Sequence, residues 1–418
     1  MKRIWIFLVP LMLTAQRYDL ADLIDGAVKH NGNIKAKQIA VTARDKEVEA
    51  AQRAYWPTLD IGGDYSWHSP NYLVSPGEVG NAYASLRLDL YDGGRKAAIV
   101  RAKQHAKEAS LFEKEAFAKS VTLEIIRHYY IVRKMQANLH ALKERGKELA
   151  AQIARIKKFK VTGLATQEDV DKLQAVYDNN RYMMENTKLA LTQAIENLKL
   201  LSGLNVSGVA RSSLRTPAHM KLTWFDPIKQ MLANAKAIGA NADALDASYL
   251  PQVRLSDTYH KSHYGDQVVF GGLPGVNGDA FLVDHQNVLS VSATMRLFDG
   301  GRIAKESEAV RYRRLALLSQ ITQAQKEQKM RFVLAKENLR TMRAKLRSAK
   351  SALNAAKSTY RAIRKKFEAG LVDNVAYLDA LAQKTLTEAR YKETLYDNEI
   401  AKSLYYYYAG KDPKEFVR

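Results

Sequence analysis

The sequence predicts a mainly helical protein with β-hairpins, built as two tandem copies of one unit: helix, hairpin, long helix, return helix. Three observations carry that prediction. The phrase Tyr91-Asp92-Gly93-Gly94-Arg95 returns as Phe298-Asp299-Gly300-Gly301-Arg302, and a duplication is evidence for one architecture made of similar halves. Each copy closes a stretch of period two and opens a run of over sixty residues rich in Lys, Glu, Ala and Gln, with an apolar period close to seven halves. Gly163 and Gly203 are as far apart as Gly370 and Gly410, forty residues in each case, so the halves align there without a gap.

Bulk composition narrows the classes. Cysteine is absent from the 418 residues, which excludes disulfides, Cys-ligated zinc and thiol catalysis. The formal charge of +21 is dispersed along helical faces, the pattern of solvated helices and not of a nucleic-acid patch. Residues 1–15 have the form of a signal peptide: Lys2 and Arg3, an apolar stretch over 4–13, and Leu13-Thr14-Ala15 before the cut. Ten apolar residues are too few for a transmembrane helix, which needs about 20.

The first repeat is expected over 16–208. Leu20, Leu23, Ile24, Ala27 and Val28 recur at helical spacing, and Asn31-Gly32-Asn33 marks a break before the helix resumes. Trp56-Pro57 ends it, because proline disfavours helix in the residue before it. The hairpin follows at about 57–91. Leu59, Ile61, Gly63, Tyr65 and Trp67 share one face, as do Ala82, Ala84, Leu86, Leu88 and Leu90 on the return; Asp60, Asp64, Ser85, Arg87 and Asp89 lie opposite. The long helix pair occupies 94–203. Its seam runs Val121, Ile125, His128, Val132, Met135, Leu139, Leu142, Gly146, Leu149, Ile153 and Ile156, a heptad stripe that implies left-handed supercoiling. Gly163-Leu164 turns the chain and Ser202-Gly203 ends the return helix.

The second repeat is expected over 209–410: a shorter helix over 226–249, Leu250-Pro251, a hairpin at about 251–298 with strands at 253–259 and 288–297, and a helix pair over 301–410 turned at Gly370-Leu371. Its seam is Leu339, Met342, Leu346, Ala349, Leu353, Ala356, Tyr360, Ile363 and Phe367. Residues 411–418 form a short tail.

Strands of nine to ten residues with one apolar and one polar face match tilted strands crossing a bilayer. Four strands cannot close a barrel, and an open edge cannot face lipid, so strands would be pooled across copies. The product is a conduit: a barrel in one compartment and a helical tube in another. A soluble periplasmic coiled-coil scaffold is the alternative reading. No nucleophile–base spacing is recognisable, so no enzyme and no cofactor are expected.

The duplicated order of Tyr-x-Pro helix-to-strand junctions, Asp-Gly-Gly-Arg strand-to-helix junctions and Gly-Leu helical turns resembles the TolC-type outer membrane efflux proteins over nearly the whole chain. The resemblance implies a homotrimer in outer-membrane lipid, with a 12-stranded β-barrel, a 12-helix periplasmic α-barrel and no nucleic acid. It also implies a periplasmic adaptor (membrane fusion) protein and an inner-membrane pump as partners, in efflux or type I secretion. In that family the helical turns form the pore constriction. The acidic rings six and nine residues after the second-repeat glycine fall on Ala376 and Asp379. A Tyr three before it and an Arg two after it, which hold the closed state, fall on Phe367 and Val372, opposite Glu168 and Asp169. Structural junctions are expected at Pro57, Gly93, Gly94, Gly163, Pro251, Gly300, Gly301 and Gly370. His260, His263 and His285 do not make a metal site, since positions three apart on a strand face opposite ways. Gly271-Gly272-Leu273-Pro274-Gly275 reads as a hairpin loop, and Tyr405 to Tyr408 as inter-helix packing.

Overall fold

The computed structural model describes residues 17–72, 75–267 and 282–418; the expected signal peptide over 1–15 and the segment 271–275 lie outside the described residues. In the first repeat β1 (Arg17–Tyr18), α1 (Leu20–His30) and α2 (Gly32–Arg53) precede the hairpin β2 (Thr58–Trp67) and β3 (Glu78–Tyr91), then α3 (Arg95–Val161) and α4 (Gln167–Ser202). The second repeat begins with β4 (Gly208–Val209) and α5 (Asp226–Asp246), which ends in a 3-10 turn at Ala247–Tyr249. The strands β5 (Gln252–Gly265) and β6 (His285–Thr294) follow, then α6 (Arg302–Glu368), α7 (Asn374–Tyr408) and a last 3-10 turn at Pro413–Phe416. Two compact units cut across these repeats. One contains residues up to Ile39, Phe112–Lys229 and Thr322–Arg418; the other contains Ala40–Leu111 and Gln230–Ile321.

The second of these units holds a four-stranded antiparallel sheet in the order β2-β3-β5-β6. Leu59 pairs with Leu86, Ile61 with Ala84 and Gly63 with Ala82, so the apolar residues of the first hairpin form one face. Leu88 continues it to Leu255 on β5, which pairs with Val291 on β6. The opposite face is polar and is covered only at its centre, where Ser85 is 3% exposed, while Ile61 on the apolar face is 82% exposed. On the polar face Ser85 meets Thr258 at 3.0 Å, and Arg254 donates to Asp89 at 2.7 Å. Two boundaries differ from the sequence reading. β5 runs six residues past Tyr259, because β3 pairs with it as far as Glu78↔Gly265 even though His260-Lys261-Ser262-His263 has no apolar alternation. β6 starts at His285 and stops at Thr294, opposite Gln252, because Pro251 before it has no N–H for a further rung. Met295 and Leu297 therefore lie beyond the strand.

Asp257 was not singled out by its sequence context. The register sets it between Leu86 and Leu289 in the middle of the apolar face, and its Oδ1 is buried without a hydrogen-bond partner.

The other unit is built on the helical hairpins. In α3 Val121, Ile125, Val132, Leu142, Leu149, Ile153 and Ile156 are buried, and in α6 Leu339, Ala349, Leu353, Tyr360 and Phe367. Gly146 belongs in the α3 seam because it admits Asn180 of α4; a Cβ there would stand 3.1 Å from the Asn180 amide nitrogen, which donates to the Leu142 carbonyl at 3.0 Å. His128 is half-buried in the same seam, and burial lowers its pKa, favouring the neutral ring. Asn31 explains the break between α1 and α2. It ends α1, its side chain accepts from Asn33 and Ile34 N–H at 3.0 and 3.2 Å, and its amide donates to the Leu201 carbonyl.

The linker after α4 is held rather than loose. β4 pairs in parallel with β1, a two-residue contact too short to show a period in the sequence. Tyr129 donates to the Ala210 carbonyl at 2.6 Å and accepts from Ser212 N–H at 2.8 Å. Glu399, buried, accepts from Leu214 N–H at 2.8 Å and from Lys402 at 2.6 Å, and Lys402 also donates to the Leu214 carbonyl. The four tyrosines at the end of α7 pack between elements, as their position implied: Tyr405 stacks on Phe332, Tyr406 on Phe416, and Tyr407 meets Phe225 edge-on. The tail is part of this clasp, with Val417 bridged to Leu214.

Asp226 opens α5 with Pro227 behind it, and is buried between Lys119 at 2.6 Å and Lys229 at 2.9 Å. Burial alone would raise its pKa; the two ammonium groups outweigh that and hold it below the ordinary 3.8. A carboxylate depressed on folding contributes stability that is full above its unfolded value and is lost as pH falls through the folded value. Asp226→Asn is therefore expected to lower the stability of the chain near neutral pH by about 3 kcal/mol. The gap to wild type should narrow in melts as pH falls below the ordinary 3.8, and a gap that stays constant through that fall would show the ion pairs to be idle.

Candidate functional site

The two Asp-Gly-Gly-Arg junctions are alike in geometry. Gly93 and Gly94 have φ of 70° and 83°, Gly300 and Gly301 69° and 79°, so each long helix is entered through two consecutive left-handed residues that only glycine adopts without strain. The aspartate then caps the helix. Asp92 accepts from Gly94 and Lys96 N–H at 3.1 and 2.7 Å; Asp299 accepts from Gly301 and Ile303 N–H at 3.0 and 3.1 Å and from the Tyr249 hydroxyl at 2.9 Å. The junctions differ in their surroundings. A Cβ on Gly93 would stand 2.6 Å from the Leu250 Cβ and 2.7 Å from the Ala247 carbonyl, whereas Gly300 has nothing within 4 Å. Pro57 and Pro251 stand where α2 and the 3-10 turn end and strands begin.

At the far ends of the hairpins, Gly163 and Gly370 have φ of 75° and 74° and close matching turns: Leu164 N–H donates to the Phe159 carbonyl at 2.8 Å and Leu371 N–H to the Lys366 carbonyl at 2.9 Å. This is the Schellman arrangement. It leaves Leu164 76% and Leu371 74% exposed.

The expected gate residues divide by what they touch. Asp169 is occupied as the reciprocal partner of the Thr166 cap, accepting from the Thr166 N–H at 3.0 Å and hydroxyl at 2.8 Å, which hold its pKa down. The Thr-x-x-Asp spacing carried that signal in the sequence. Glu168 pairs with Lys172 at 2.6 Å on the helix surface. Phe367 is buried, stacked on Tyr377 at 4.7 Å and capped by the Arg155 guanidinium at 5.5 Å; Val372 packs on the same cluster. Neither Phe367 nor Val372 is bonded to Glu168 or Asp169. Ala376 is half-buried and its N–H goes to Asp373, which caps α7 at 2.9 Å. Asp379 is exposed and has no ion pair among the described residues.

What joins the two hairpin ends is a set the sequence did not mark. Tyr377 donates to Glu148 at 2.8 Å, and Arg155 donates to the Glu368 carbonyl at 3.2 Å. Burial, then the Glu148 carboxylate, push the Tyr377 phenol far above its ordinary range. These are contacts across more than 200 residues and have no local period.

A barrel-type sheet with one lipid-compatible face, opening through capped glycine pairs into seam-bearing helical hairpins, is the architecture of outer-membrane channels. The chain belongs to the outer membrane efflux protein family, which it matches over residues 23–204 and 227–404, one stretch in each repeat. It is 25% identical over 274 residues to Protein CyaE of Bordetella pertussis, covering 60% of this chain and 56% of that one, so it spans little more than half the length of that relative. In fold it is similar to the outer membrane protein VceC of Vibrio cholerae (TM-score 0.78, 15% identity, 94% of this chain and 96% of that one). The outer membrane channel CmeC of Campylobacter jejuni is also similar (TM-score 0.78, 14% identity, 94% and 85%).

Proposed function

We propose that the chain is the outer-membrane exit duct of a tripartite efflux or type I secretion system, receiving cargo from an inner-membrane pump through a periplasmic adaptor and doing no chemistry itself. The observation that carries this is the open sheet: both edges, β2 and β6, are unpaired among the described residues, and one face is apolar and exposed while the other is polar. Such a sheet is stable in lipid only when closed; three copies supply twelve strands, and the polar faces line the lumen. The exposure of Asp379 near the hairpin turn, with no ion pair among the described residues, supports it as the residue that rings the constriction.

Outer-membrane fractionation with crosslinking, followed by planar-bilayer recording, tests the reading. The expected result is a membrane-embedded trimer that conducts, and Asp379→Ala should change its conductance or cation selectivity by about twofold or more. A soluble, non-trimeric product would point instead to a periplasmic scaffold.

The same reading gives Asp257 a cost. A carboxylate at mid-height on a lipid face destabilises a barrel, by less than the 2–4 kcal/mol of a lysine there. Asp257→Leu is expected to stabilise the trimer by about 1–2 kcal/mol in denaturant titrations. Destabilisation would show that the carboxylate has a partner in the assembled barrel.

A further inference from the structure

The charge of the chain is less evenly dispersed over the helices than its composition implies, and is concentrated in one element. α6 holds nineteen Lys and Arg against five Asp and Glu, a net +14 of the total +21. In the half of α6 within the helical unit that charge is ordered. Lys336, Arg343, Lys350, Lys357 and Arg364 recur at every seventh residue for five heptads, each one place after a buried or half-buried member of the seam. Arg340, Arg347 and Arg361 fill the adjoining heptad position, so the basic residues form a stripe along one flank of the helix. Solvation alone does not require a period of seven, and the other flank is small and mostly neutral at Thr341, Ser348, Ala355 and Ala362.

Little of this charge is neutralised within the chain. Arg340 reaches Glu337 only at 3.8 Å and Lys357 reaches Glu388 only at 3.7 Å, while Arg364 pairs with Glu368 one turn on along the same helix. Lys336, Arg347 and Lys350 have no ion pair among the described residues and are exposed. The stripe is bordered by open grooves. One, of about 540 Å³, lies between Arg340, Arg343 and the linker at Pro217; the other, of about 570 Å³, is lined by Ser358, Arg361 and Arg364. Arg343 donates to the Pro217 carbonyl at 3.4 Å, which puts the stripe on the side of the helices that the linker crosses. A crossing linker would obstruct a lumen, so in a duct this is the outer side.

A basic flank beside a heptad seam is the arrangement by which helices choose partners. We propose that the stripe from Lys336 to Arg364 is a docking track for an acidic α-helix of a separate periplasmic protein, one carrying Glu or Asp at seven-residue spacing. This rests on the duct reading above and adds the chemistry of the partner to it. The helix lies along α6 in the grooves, and its carboxylates meet Lys336, Arg347 and Lys350, which have no ion pair among the described residues.

The test uses the full-length protein in nanodiscs of a neutral phospholipid. The probe is a synthetic antiparallel two-helix hairpin with Glu at every seventh surface position; the control is the same hairpin with Lys there. The Glu hairpin is expected to bind at least about tenfold more tightly than the Lys hairpin, a preference that shrinks as salt rises. Lys336→Ser, Arg347→Ser and Lys350→Ser combined should remove about tenfold or more of the affinity, with trimer and conductance unchanged. Equal binding of the two hairpins overturns the proposal. So does loss of the trimer in the triple variant, which would assign the stripe to the contact between copies, or a change in its anion selectivity, which would place the stripe in the lumen. Wild-type protein that neither trimerises nor conducts would instead overturn the duct reading.

Discussion

Gly93→Ala is expected to cost about 3 kcal/mol or more, while Gly300→Ala, at the same φ, costs about 1–2 kcal/mol. Both substitutions put a Cβ on a left-handed residue, which accounts for the shared part. At Gly93 the added carbon would also overlap the Leu250 Cβ and the Ala247 carbonyl, at 2.6 and 2.7 Å. The carbonyl is backbone in a 3-10 turn that is pinned by Pro251 and cannot move aside as a side chain would. Chemical unfolding of the two variants measures the difference. Equal losses would mean that a second copy packs on Gly300 as Leu250 packs on Gly93.

Glu399→Gln should be the most damaging single change in the helical unit outside the seams, at about 3–5 kcal/mol. The side chains of Glu399 and Lys402 are 11% and 9% exposed, so removing one charge strands the other in a site closed by Tyr130 and the linker. The loss should be accompanied by faster amide exchange at Leu214, whose N–H the carboxylate holds. Replacing both, as Glu399→Met with Lys402→Met, should recover most of the stability, because two apolar side chains leave no buried charge behind. A double variant as unstable as the single would show that the ion pair serves the linker and not merely itself.

The repeat, the eleven longer elements and both seams were legible because each is written as a period: two for the strands, seven halves for the helices, and a repeated phrase for the junctions. Boundaries failed where pairing overrode composition, as in β5 beyond Tyr259, which a neighbouring strand carries through four polar residues. The β1–β4 pair and the clasp of Glu399 on Leu214 were not legible, since they join residues far apart through one or two rungs. Of the candidate gate, the positions were legible from motif spacing, but their engagements were not. Asp373, unassigned in sequence, proves to be a helix cap, and Phe367 is covered by Arg155 and Tyr377, which no local pattern linked to it.

The capped glycine pairs have a mechanical meaning. A flexible hinge lets an attached rod swing without loading what it is attached to. Here the aspartate before each glycine pair accepts hydrogen bonds from the first turn of the helix that follows, so the joint is braced. Torque applied to α3 passes through that brace directly into the end of β3, whereas on the α6 side residues 295–299 stand between the brace and β6. Compliance must then reside where the helices themselves are interrupted, as at Asn31 between α1 and α2.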